Sequence, residues 1–423
     1  MVQLSSDCFA FGGGLAQLDA ALEGVLRELE PISGFEQVPL TQSGQRILAE
    51  NVVALEDVPP DNNSAVDGFA VFFDDLNIEG STELPVVGRA AAGKPYHKLQ
   101  KRGEAVQIFT GAIMPSGTGV EDPDTVFMQE DCKSLEGRVI LPSGIKRGSN
   151  CRAAGEDIRS GNCILREGLR LRPQEVGLAA SVGRIDLRVR SRLRVAIFST
   201  GDEVMEPGGS RETGKIYDSN RYTLITLLKT IGCSVEDLGV LPDNPDVIST
   251  KLLKAASEHD LIVTSGGVST GEEDHVKRII DSQGRLFFWR LAIKPGRPVA
   301  LGEIKNTLFI GLPGNPVAAM VTFLRVARPI ILKLAGASNL FPKSYFVSSG
   351  FRYKKKPERR EYIRVSTKEL SNGRLVAEKF SREGAGILSS MVFADGLVEL
   401  VEGSLGVEKG DLVRYFPFKE FDL

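Results

Sequence analysis

Apolar positions change their spacing from one region of the chain to the next. Leu15, Leu18, Leu22, Val25, Leu26 and Leu29 recur at helical spacing and Pro31 follows, which predicts a packing helix of about four turns. A second helix is expected around Gly44 to Glu50, then extended chain over 52–58. From about Gly68 to Ser149 the pattern is β, with strands expected at 69–73, 85–89, 105–109, 125–129 and 139–141 between Gly- and Pro-rich turns. Pro173 then opens a helix, PQEVGLAASVG, in its favoured first-turn position. From Arg192 strands and helices alternate: strands at 194–199, 233–241, 261–263 and 307–310, helices at 219–231, 246–259, from Thr270 onward, and at 316–334. Beyond Gly336 five short strands with turn signals return.

These patterns predict an α/β multidomain fold. Residues 191–335 form a doubly wound parallel sheet with helices on both faces. Residues 61–149 form an inserted β-rich domain. Residues 1–60 pack with 150–190 as one discontinuous helical and extended domain, and 336–423 form a small β-barrel. The basic run Lys354 to Arg360 reads as a solvated hairpin turn.

The stretch LIVTSGGVSTGEEDHVK, 261–277, concentrates the chemistry. A buried strand runs into Gly266 and Gly267, and Thr270 and Glu273 stand as a capping box for the next helix. Backbone N–H groups at such a turn attract anions. Glu272, Glu273 and Asp274 would repel a phosphate there unless a cation lay between, which points to a phosphate-bearing ligand held through Mg²⁺. An ordinary strand-to-helix turn with solvated acids is the alternative. STGDE at 199–203 falls on the same rim, where parallel sheets bind ligands. More acids gather in turns at Glu156–Asp157, Asp218 and Asp243. The basic counterpart is LAIKPGRPVALG, 291–302, a Pro-Gly-stiffened loop carrying Lys294 and Arg297 and preceded by Arg290. GLPGNPV at 311–317 could cradle a further anion through backbone amides. Asp218 or Ser219 caps the following helix, or Asp218 and Asn220 bind a heterocycle or ribose.

The net charge of −3 over 423 residues gives no general basic field for nucleic acid or an anionic membrane, so anions must be held by local cations. The five cysteines are scattered without C-x-x-C spacing, which suits a reducing compartment. No apolar run is long enough to span a bilayer, no signal peptide is evident, and the cytoplasm is expected. No nucleophile elbow, Cys–His pair or Walker loop is present.

In order, DNNSAVDGFAV, IFTGAIMPSG, VFMQED, AGEDI, STGDEV, KIYDSN, TSGGVSTGEEDHVK, LAIKPGRPVALG and GLPGNPVAA resemble the molybdopterin molybdenumtransferases of the gephyrin E-domain type, from about residue 15 to the end. The resemblance implies insertion of molybdate into adenylylated molybdopterin, with Mg²⁺-dependent pyrophosphate hydrolysis and AMP release. It implies an elongated homodimer with each active site between the parallel-sheet domain of one subunit and the β-rich domain of the other. Asp157, Glu203, Asp243, Asp274, Lys294 and Thr110 would then be catalytic, with Glu203, Asp243 and Asp274 on the metal. Substrate would be met by Asn62, Ser64 and Asp67, by Asp218, Ser219 and Asn220, and by Gly266, Gly267 and Ser269. Arg290, Arg297, Pro313, Gly314 and Asn315 would join them, with Arg364 and Ser389 (or Ser390) as anion ligands of the C-terminal domain. Molybdopterin adenylyltransferase and recipient molybdoenzymes are the implied protein partners.

The sequence also departs from the family pattern. Asn62 stands where an acid is common, Arg297 replaces a lysine, and Ala318 replaces a small hydroxyl residue. Rival readings are a molybdopterin adenylyltransferase, whose relatives cover only the 192–335 region, and a non-enzymatic pterin-binding or scaffold protein.

Overall fold

The computed structural model describes residues 16–32, 34–268 and 275–423, and the side chains at 275, 277, 281 and 288–290 also fall outside the description. The central sheet has six strands in the order Ser234–Leu241, Arg194–Thr200, Leu261–Ser265, Thr307–Leu312, Pro298–Ile304 and Gly284–Arg290. The first four run parallel. The last two add antiparallel pairings, so the sheet is mixed and not the parallel one expected. The cause is local. Lys305 and Asn306 both have positive φ, 47° and 70°, and join Pro298–Ile304 to Thr307–Leu312 as a two-residue turn. So short a connection makes a hairpin, because parallel neighbours need a long crossover. Much of the supposed 291–302 loop is therefore strand.

Alternate residues of the central strands face opposite cores, as a period of two requires. Val195, Ile197 and Val263 share one core with Leu224, Leu228, Val317 and Ile330. Ala196, Phe198 and Ile262 share the other with Ile248, Leu252, Val276 and Ile280. The helix expected over 316–334 runs as Pro316–Thr322, a π turn Phe323–Ala327 and Arg328–Leu334. Pro329 has no N–H to give the preceding turn, which accounts for the altered ladder.

The helix Leu18–Glu28 buries Leu18, Ala21, Leu22 and Val25 in the core that also holds Ile330, Ile331 and Leu334. It therefore packs on the α/β unit. The helix expected at 44–50 is replaced by the single turn Leu40–Ser43, with Gln45 at φ 64° and Ile47 and Leu48 bridged to Arg170 and Val189. Phe35–Pro39 pairs with Asp186–Arg190 and Val52–Val53 with Cys163–Leu165, over a core of Val38, Leu48, Leu165, Ala179 and Val189.

The sheet within residues 68–141 orders its strands Thr125–Met128, Gly68–Val71, Ala105–Ile108, Thr82–Ala90, Arg138–Leu141 and Lys133–Leu135. In the C-terminal region Arg360–Glu369 pairs with both Leu375–Lys379 and Gly396–Leu400, which closes a five-strand barrel. The basic run 354–360 is a solvated turn only in part, with Lys354, Lys356 and Glu358 exposed. Lys355 is buried, and its ammonium donates to the carbonyls of Lys356, Glu402 and Ser404 at 3.1, 3.1 and 2.8 Å. Arg360 is buried as well.

Candidate active site

Gly266 and Gly267 end the Leu261–Ser265 strand with φ of 87° and 65°, a region open to glycine. A Cβ at Gly266 would stand 2.8 Å from the Thr200 carbonyl oxygen, so the turn lies flat against the neighbouring strand end. From that strand end Thr200 Oγ1 donates to Asp243 Oδ1 at 2.9 Å, fixing one acid on the rim, and Glu203 stands exposed beside it. Asn220 donates to Ser265 Oγ at 2.9 Å and to the Gly314 carbonyl at 2.7 Å, tying the glycine turn to the Pro313–Asn315 loop. Asp218 accepts from the Arg221 backbone N–H at 3.0 Å and its Nε at 2.9 Å. Arg221, 2% exposed, also binds Glu206 and Asp237, and these carboxylates hold its guanidinium above the ordinary arginine range against the cost of burial. Asp218 and Asn220 are therefore buried in the rim, and these bonds hold its framework together. Asp218, not Ser219, supplies the side-chain cap.

The rim faces the C-terminal barrel across a cleft of about 680 Å³. Ile293–Lys294 leaves the α/β unit and pairs with Arg360–Glu361 of the barrel, placing Lys294 opposite Glu361. Lys294 Nζ donates to Tyr353 Oη at 2.8 Å and to Glu361 Oε2 at 3.2 Å. Burial alone would pull the Lys294 ammonium's pKa down, but these partners outweigh it and the net shift is up. Lys294 is thus no lone cation. Its charge is matched by a carboxylate 2% exposed.

Arg364 is the opposite case. Its Nε donates to Ser390 Oγ at 3.0 Å and a terminal nitrogen to the Gly384 carbonyl at 3.3 Å, and burial pulls its pKa down. Among the described residues it makes no ion pair. Ser389 is exposed and does not line the cleft, so Ser390 is the serine that orients this arginine. Arg297 is exposed on the same wall, as is Arg382, which sequence reasoning missed together with Tyr353, Glu361 and Glu383. Their signal was the barrel register, which spacing does not display.

Glu203, Asp243, Gly266, Gly267, Lys294, Arg297, Pro313, Gly314, Asn315 and Arg364 all line this one cleft, and so does Ala318. Ser269 and Asp274 lie outside the described residues, as does the Arg290 side chain. Asn62, Ser64, Asp67, Thr110 and Asp157 belong to a second cluster, in other parts of the chain, that does not line the cleft. There Asp67 Oδ1 accepts from the Thr110 N–H at 2.8 Å and its hydroxyl at 2.7 Å, bonds that lower the carboxyl's pKa. Asn62 Oδ1 accepts from the Ala154 N–H at 2.9 Å, and Asp157 is exposed. Ser64 is fully buried, and its hydroxyl donates to the Val66 carbonyl at 2.6 Å instead of reaching the surface.

Among the described residues no group of three or more His, Cys, Asp or Glu side chains could hold a metal. Glu203 and Asp243 offer two hard oxygen donors on the rim, which suits Mg²⁺, an ion commonly bound by one or two carboxylates with phosphate oxygens and water. No helix among the described residues is long and apolar enough to cross a membrane.

Residues 16–183 match the family model described as the MoeA N-terminal region, domains I and II. Residues 196–333 match a probable molybdopterin binding domain, and 347–418 the MoeA C-terminal region, domain IV. The chain is 36% identical to the molybdopterin molybdenumtransferase of Haemophilus influenzae over 403 residues, covering 95% of this chain and 98% of that one. It is 37% identical to that of a Nostoc species over 317 residues, covering 73% and 71%. The molybdopterin biosynthesis moeA protein of Pyrococcus horikoshii superposes with a TM-score of 0.81 at 28% identity, covering 96% of this chain and 100% of that chain.

Proposed function

The chain belongs to the molybdopterin molybdenumtransferase family, enzymes of molybdenum cofactor biosynthesis, and from that premise we propose that it inserts molybdate into adenylylated molybdopterin and releases AMP. The observation that carries this reading is a single cleft that brings the rim carboxylates Glu203 and Asp243 together with the cations Lys294, Arg297 and Arg364. A nucleotide pyrophosphate and a molybdate dianion need both. Glu203 and Asp243 would hold Mg²⁺, joined by Asp274. When bound, the ion supplies charge neutralisation and Lewis acidity at the pyrophosphate. The flat turn at Gly266 and Gly267 lets the ligand approach the backbone. Arg364, Arg297 and one N–H of Lys294 face the molybdate oxygens, as fixed donors that need no reorganisation when charge moves. Thr110, Asp67, Asn62 and Asp157 complete the site from the partner subunit of a homodimer. The four described free cysteines suit work in the cytoplasm.

The test is turnover of adenylylated molybdopterin with molybdate and Mg²⁺, scoring AMP and molybdenum bound to the pterin. Coupled appearance of both supports the reading. Substrate binding without AMP release would overturn it.

A further inference from the structure

Lys294, Tyr353 and Glu361 form a closed hydrogen-bonded triangle at the junction of the α/β unit and the barrel. Besides the two Lys294 bonds, Tyr353 Oη donates to Glu361 Oε2 at 2.7 Å. The other carboxylate oxygen of Glu361 accepts from Arg359 Nε at 2.9 Å. The Glu361 side chain is 2% exposed, whereas the Lys294 side chain is 43% exposed and borders the cleft. A carboxylate so buried offers a ligand almost no surface, yet it fixes the more exposed ammonium. An ammonium has three donors, and two are directed to Tyr353 and Glu361, leaving one for the cleft. The backbone enforces this geometry, because Lys294 and Glu361 are register partners and the Arg360 N–H donates to the Ala292 carbonyl at 2.8 Å.

We propose that Glu361 and Tyr353 are positioning residues for the transfer reaction, holding the Lys294 ammonium on the cleft wall with its remaining N–H toward the anionic substrate. The inference rests on Lys294 as an anion contact, and it adds an assignment of the two residues that make a flexible lysine a fixed donor. Without them four rotatable bonds would let the ammonium sample the cleft, and the ordering would have to occur at each turnover. The charged and titratable neighbours are Tyr353 and Glu361 directly, Arg359 and the buried Lys355 near Glu361, Arg364 near Tyr353, Lys379 over the Tyr353 ring at 5.3 Å, and Glu383, which pairs with Lys379 and feels the Lys294 charge.

The experiment compares full-length wild type, Tyr353→Phe, Glu361→Gln, Lys294→Ala and Tyr353→Phe/Lys294→Ala. Turnover is followed across pH, and the Lys294 ammonium is titrated directly by NMR of labelled lysine. Tyr353→Phe keeps the ring and serves if Glu361→Gln fails to fold. Tyr353→Phe is expected to lower kcat about tenfold, the cost of one hydrogen bond to a charged group, with KM for adenylylated molybdopterin little changed. It should move the Lys294 titration, and the alkaline limb of the rate profile, to lower pH, because the lost partner favoured the charged form. In the Lys294→Ala background the same change should add nothing. A Lys294 titration that stays at the wild-type position in Tyr353→Phe overturns the proposal, as do effects that multiply in the double variant. An inactive wild type whose Lys294 titration still shifts in Tyr353→Phe would count against the transferase reading while leaving the positioning intact.

Discussion

Arg364 and Lys294 stand on the same cleft wall but carry their charge differently. Lys294 is neutralised by Glu361 at hydrogen-bond distance, whereas Arg364, among the described residues, hydrogen-bonds a hydroxyl and a carbonyl and feels Glu383 only at longer range. Arg364 should therefore dominate anion affinity. Arg364→Ala is expected to raise KM for molybdate by about ten- to a hundredfold with a small change in melting temperature, and Arg364→Lys to recover only part, lacking the planar fork. Unchanged KM in steady-state assays would remove Arg364 from the anion site. Lys294→Ala should instead lower kcat, by about two orders of magnitude, since it removes a donor held for the reaction. Retained turnover with a lower melting temperature would mark Lys294 as packing only. The sign of its pH dependence follows from the raised pKa. The Lys294 ion pair contributes stability that is fully present below the ordinary lysine value of 10.5 and is lost as pH rises through the higher folded value. Urea unfolding of wild type and Lys294→Ala should accordingly converge in strong alkali.

At the scale of elements, the Ile293–Arg297 crossing and the Arg360–Glu369 strand set the width of the cleft. Arg360 points away from Glu361, and its guanidinium grips Asp19 of the first helix at 2.7 and 2.6 Å while Glu399 and Glu402 flank it. Arg360→Met would leave Glu399, 1% exposed, with reduced compensation. A loss of about 3 kcal/mol is expected in denaturant unfolding, against about 1 for Asp19→Ala, whose carboxylate is largely exposed. Equal losses from the two would refute a buried latch. Gly296, at φ 109°, lies where a Cβ would come within 2.3 Å of Thr322 Oγ1, so this crossing also depends on a glycine. The elements themselves were largely legible. Leu18–Glu28, Pro173–Ser181, Pro245–Glu258 and the barrel strands all announce themselves by period and punctuation. The strand Pro298–Ile304 did not, because Pro and Gly at its start mimic a loop and its hairpin uses Lys305–Asn306 instead of an Asn-Gly pair. The acids and cations of the cleft stood out as motif residues. Glu361 and Tyr353 did not, since their roles arise from a strand register joining residues nearly seventy positions apart, and no local spacing encodes that.

At the scale of the molecule, the candidate functional residues fall into two groups. One lines the cleft between the α/β unit and the barrel. The other, with Asp67, Thr110 and Asp157, does not line it. Within the second group Thr110 and Asp67 are bonded to each other, and Thr110 and Asp157 are exposed. Exposed polar residues of this kind have a use if a second copy of the chain brings them to the cleft, which is the arrangement proposed for the homodimer. In a symmetric pair each cleft would take its α/β wall from one subunit and its Thr110 cluster from the other. This arrangement makes a prediction that no single-chain site shares. Thr110→Ala and Lys294→Ala should each be strongly impaired alone. When the two variants are unfolded together and refolded as a mixture, about half the dimers pair unlike subunits, and each of those holds one site free of both substitutions. Activity should therefore return to about a quarter of the wild-type value, with a dimeric mass by light scattering. If both groups served one site within a single chain, every site in the mixture would carry a lesion and activity would stay at the level of the separate variants.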